Sequence, residues 1–154
     1  MLKVINHTKP TLWGVLHSLA SLGMILCAII LACTGFAPMI TGQHMWGYAL
    51  ILHAACAPVF VTCLAYVALS GAQGRTWQGG ASLLTGLGVI CFWLMLLVSL
   101  PLILSMVLSM FPWCGTHGQE VLFEIHRISA MIWIASAGVG CVTQGLGKTL
   151  NRGR

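Results

Sequence analysis

The eight residues Glu120-Val121-Leu122-Phe123-Glu124-Ile125-His126-Arg127 carry two carboxylates, an imidazole and a guanidinium at the opening of a long apolar segment. The chain has almost no charge elsewhere: it holds 7 Lys and Arg against 2 Asp and Glu, and both acids lie in this stretch. Ionisable groups inside or just under a membrane face are costly to keep there, so a functional role is the default hypothesis. His126 offers a metal ligand. Glu120 and Glu124, one turn apart, offer proton acceptors of the kind that work near the operating pH. Arg127 offers a countercharge for an anionic group or for Glu124.

The elements that must position these groups follow from composition. The chain has 154 residues, is 58% hydrophobic and 6% charged, and has a mean hydropathy of +0.96, more apolar surface than a water-soluble domain of this size would hide. Four apolar stretches, near 11–33, 46–69, 82–110 and 119–146, are each long enough to cross a ~30 Å hydrocarbon core as a helix. The expected fold class is all-α: an integral membrane four-helix bundle in the lipid bilayer, forming one domain over residues 1–154. The first stretch reads as a retained helix because its apolar run exceeds an ordinary signal-peptide core.

The net charge of +5 is not a nucleic-acid signature once its residues are placed. Lys3 and Lys9 precede the first stretch, Arg75 separates the second and third, and Lys148, Arg152 and Arg154 follow the fourth, while the other two loops carry no Lys or Arg. This positive-inside pattern predicts a multi-pass protein of a bacterial-type inner membrane, with both termini and the 70–81 loop cytoplasmic. Six of the seven cysteines fall inside apolar stretches and no CxxC occurs, which disfavours a thiol-disulfide enzyme.

Histidines recur along this frame. His17 lies one to two turns into the first helix from the cytoplasmic side, where hydrogen bonding to a neighbouring helix is one role open to it. His53 lies about two turns into the second helix from the outer side, with Pro58 a turn further in, a kink expected to make room beside the imidazole. Residues 42–57 align with residues 115–130, matching Gly42 to Gly115, His44 to His117, His53 to His126 and Ala57 to Ala130. The echo implies that the second and fourth helices run in the same direction with a histidine at the same depth. A haem of the b type needs two neutral imidazoles facing each other inside a bundle, and His53 and His126 meet that demand without a covalent CxxCH attachment motif. His44 and His117 precede them by nine residues, which at ~100° per residue turns them to the opposite face. They are expected at the outer surface, capping helices, meeting a periplasmic partner or lining a quinol pocket.

His17 with Thr34-Gly35 at the first helix's end, His53 in the second and His126-Arg127 in the fourth resemble the four-helix membrane cytochromes b. That family includes the gamma subunit of formate dehydrogenase and the cytochrome b subunit of nickel-iron hydrogenase. The resemblance implies electron transfer between a partner subunit of a membrane redox complex and the quinone pool through haem b. It also implies that His53 and His126 hold an outer haem and His17 one side of an inner haem. The chain departs from the pattern where the inner haem's second ligand falls, near Gly140, because no histidine follows His126. Cys141 or a partner residue would have to substitute. The expectation is therefore one haem rather than two, a gap at Gly138 and Gly140, and a quinone or structural role for His17.

Two readings of other classes compete with this one. A small four-helix transporter would use Glu124 and Arg127 as its intramembrane charges. A cofactor-free anchor or assembly subunit would use none of these groups. No soluble catalytic domain is legible, so the chain is expected to move electrons while partners carry out substrate chemistry.

Overall fold

The computed structural model describes residues 12–42, 47–72 and 83–152. It is all-α: helices α1 (Leu12–Thr41), α2 (Gly47–Ala72), α3 (Leu83–Ser109) and α4 (Thr116–Arg152), with no strand among the described residues. Each contains a span of 24 to 30 residues long and apolar enough to cross a membrane. Leucine, isoleucine and valine cover their outer faces, with Leu19, Ile29, Ile51 and Leu97 all exposed. An intrahelical ladder satisfies the backbone, which is what lets such surfaces face hydrocarbon.

The first helix does not end at Thr34-Gly35 as its sequence suggested. It continues through Pro38 to Thr41, where Gly42 takes a left-handed conformation (φ 66°) and closes the helix. Pro38 removes only one hydrogen bond, to the Thr34 carbonyl, and the apolar run on either side outweighs that loss. Gly47, also left-handed (φ 60°), opens α2. The fourth helix is longer than expected at both ends, starting at Thr116 and ending at Arg152. Between α3 and α4 the chain reverses in a few residues, with the Cys114 amide donating to the Phe111 carbonyl and the Phe111 and Trp113 rings in contact.

The chain forms two compact units, residues 1–73 and 74–154, each an antiparallel helical hairpin. In the second, buried Ser129, Trp133, Ser136, Gly140 and Thr143 follow one another at steps of four and three residues and form the face of α4 that meets α3. Phe92, Met95 and Ser99 supply the same stepping on α3, the pattern of left-handed helix pairing. The Trp133 indole donates to Ser99 Oγ at 3.1 Å, and a Cβ at Gly140 would stand 3.5 Å from that of Cys91.

The contact faces reveal how far the sequence echo runs. Seventy-three positions separate His53 from His126, Cys56 from Ser129, Phe60 from Trp133, Cys63 from Ser136 and Ser70 from Thr143. Phe60 and Trp133 are both buried aromatics. On the other pair of helices, 71 positions separate Met24 from Met95, Leu31 from Leu102 and Thr34 from Ser105. The echo thus extends, at these positions, along the faces on which each pair of helices packs.

Gly140 faces Cys91 of α3 across the hairpin interface. Gly140→Ala should be tolerated, since its methyl would make ordinary contact with Cys91. Gly140→Leu should destabilise the second hairpin by about 1–3 kcal/mol through overpacking, measured as a lowered unfolding midpoint in detergent micelles.

Candidate cofactor site

His126 lies on the packing face of α4, half-buried, three residues before Ser129. Its Nδ1 lies 2.9 Å from the Leu102 carbonyl of α3. A carbonyl oxygen only accepts, so Nδ1 carries the proton, and in the neutral ring the lone pair resides on Nε2. The same carbonyl accepts the Ser105 hydroxyl at 3.1 Å. This is the arrangement of metal-ligating histidines, which present one nitrogen to the metal while the other donates to an acceptor that fixes the ring.

His53 is held in the corresponding way in the first hairpin. Its Nδ1 lies 2.8 Å from Thr34 Oγ1 on α1, and it too is half-buried. The room beside this ring comes from Gly35, where a Cβ would stand 3.4 Å from His53 Cε1. Helix α2 itself runs on through Pro58.

His17 occupies the other end of the same hairpin, with Nδ1 3.0 Å from Ser70 Oγ of α2. The structure therefore separates His17 and His53 and ties each to a hydroxyl on the opposite helix. The repeat places Gly88 where His17 would have its counterpart, and a Cβ there would stand 3.5 Å from Thr143 Oγ1. The second hairpin thus has an imidazole at one end and a glycine with a threonine at the other.

The charged groups gather at the start of α4. Arg127 donates to Glu124 one turn earlier, so of the two partners expected for this guanidinium the structure shows the carboxylate. His117 Nδ1 lies 3.9 Å from Glu120 Oε2, and both side chains are largely exposed, at 92% and 72%. His117 therefore faces away from the packing surface that carries His126, as nine residues of helix require. His44 lies outside the described residues.

Gly138 and Gly140, where a gap was expected, have different surroundings. Gly138 has open space around its Cα, whereas Gly140 is closed against Cys91, because it belongs to the α3-facing side of α4 and Gly138 does not. Cys141 is exposed on the hairpin surface. Among the described residues, no three His, Cys, Asp or Glu side chains gather to hold a bare metal ion.

Thr34 belongs to the motif that carries the resemblance, while the acceptor roles of Thr34, Ser70 and the Leu102 carbonyl emerge only in the folded hairpins. A signal for two of them exists: Thr34 follows His17, and Ser70 follows His53, by 17 positions each. No family model, curated protein or solved structure matches this chain.

The Glu124–Arg127 pair is i,i+3 and partly exposed on its own hairpin. Replacing Arg127 with Gln should change the unfolding free energy by less than about 1 kcal/mol. A loss several times larger in a micellar unfolding titration would mean that the pair is enclosed in the assembled protein.

Proposed function

We propose that this chain is the membrane-embedded cytochrome b subunit of a larger redox complex, passing electrons between a partner subunit and the quinone pool. One observation carries this reading: a histidine in each hairpin, at matching repeat positions, has Nδ1 tied to an acceptor on the neighbouring helix. The Leu102 carbonyl leaves the lone pair of neutral His126 on Nε2, as an axial haem ligand requires. His53, packed against the bare backbone of Gly35, supplies the second imidazole.

Haem b would contribute a carrier that takes and gives one electron at a time. The protein's part is to hold two neutral imidazoles, exclude water with the apolar faces of the helices, and move protons at the outer end. Glu124, paired with Arg127, is already engaged. Glu120, beside His117, is the better placed to accept a proton released by a quinol. One haem is favoured over two because position 88 is glycine and no histidine follows His126. His17 then serves a quinone or the hairpin itself. The distribution of basic residues favours cytoplasmic termini in an inner membrane, which puts His53, His126 and the two glutamates toward the outer face.

The test is the visible spectrum of the protein purified from membranes with its haem complement intact. A pyridine haemochrome assay should return one b haem per chain. His53→Ala and His126→Ala should each abolish the low-spin, six-coordinate spectrum, and His17→Ala should retain it. A protein without haem absorbance would exclude the cytochrome reading, and loss of half of a two-haem signal in His17→Ala would exclude the one-haem form of it.

A further inference from the structure

The first hairpin carries the same device at both ends, in opposite directions. On α1 a histidine is followed 17 residues later by Thr34; on α2 a histidine is followed 17 residues later by Ser70. Seventeen residues of helix rise about 25 Å. In an antiparallel pair, that brings each histidine level with the other helix's hydroxyl, as observed for His17 with Ser70 and His53 with Thr34.

Each hydroxyl is also bound to its own helix. Thr34 Oγ1 lies 2.7 Å from the Ile30 carbonyl, and Ser70 Oγ lies 2.9 Å from the Tyr66 carbonyl. Two oxygens at such distances need a proton between them, and the hydroxyl has only one. Directed at the carbonyl one turn back, it leaves the hydroxyl oxygen to the histidine as an acceptor. The imidazole must then donate from Nδ1. At His126 a backbone carbonyl takes this role, and Ser105, the repeat counterpart of Thr34, donates to that same carbonyl.

We propose that Thr34 and Ser70 are positioning residues: each hydroxyl, fixed by its own helix as an acceptor, locks the facing histidine as its Nδ1–H tautomer and sets the orientation of the Nε2 lone pair. The cytochrome reading supplies the purpose of this lock at His53, and the lock itself is a property of the protein without cofactor. Donation from Nδ1 to Thr34 raises the ligand basicity of His53. Removing that acceptor makes the imidazole a weaker donor and raises the reduction potential of an iron bound to it.

The test uses the full chain in lipid nanodiscs, with nitrogen-labelled histidine and Thr34→Val, Thr34→Ser and Ser70→Ala variants. Nitrogen NMR of the haem-free wild type should show His17 and His53 protonated at Nδ1. Thr34→Val, close in shape but without an acceptor, should move His53 toward the Nε2–H tautomer and leave His17 unchanged. Thr34→Ser should restore the wild-type signal, and Ser70→Ala should move His17 alone. In haem-loaded protein Thr34→Val should raise the midpoint potential, with reversal in Thr34→Ser. An unchanged His53 tautomer in a folded Thr34→Val protein would overturn the proposal even if haem binds normally. The predicted tautomer shifts in a protein that binds no haem would uphold the lock and dismiss the cytochrome reading.

Discussion

A hydroxyl proton in an apolar helix has one acceptor always within reach, the carbonyl a turn behind it, and much of this structure follows from that. Ser18, Thr34, Thr41, Thr62, Ser70, Ser99, Ser136 and others all donate backward to their own backbone. Once that bond is made, the hydroxyl oxygen can only accept from across the interface. It receives the Trp133 indole at Ser99 and an imidazole at Thr34 and Ser70. Polar contact between helices is thus directional, and no buried side-chain nitrogen or oxygen among the described residues lacks a partner.

The same economy governs charge. With two acids and seven bases, the protein keeps its acids together at the start of α4, where Glu124 pairs with Arg127 and Glu120 lies near His117. That leaves the packing faces to neutral groups: small hydroxyls, thiols, glycines and three imidazoles. An imidazole is the group in that set whose lone pair can enter the coordination sphere of haem iron without bringing a net charge into the interior.

Four helices long and apolar enough to cross a membrane were legible in the sequence because twenty-odd apolar residues in a row have few other uses, and so was the start of α2. The end of α1 was not, because Thr34-Gly35 followed by Pro38 has the look of a stop. In hydrocarbon a helix tolerates one missing donor more readily than an unravelled backbone, so the stop waits for Gly42. His53 and His126 stood out by type and spacing, since a duplicated histidine in an apolar run is rare. Their acceptors did not, because Thr34 and Ser70 are ordinary membrane-helix residues and Leu102 acts through its backbone. The small residues near Gly140 admit a close neighbour, and on this face of α4 the neighbour is Cys91 of α3.

That each helical hairpin is a compact unit of its own bears on how the chain is made. Each hairpin settles its own hydroxyls and histidine Nδ1 groups internally, so the first can enter the membrane and close while the ribosome is still translating the second.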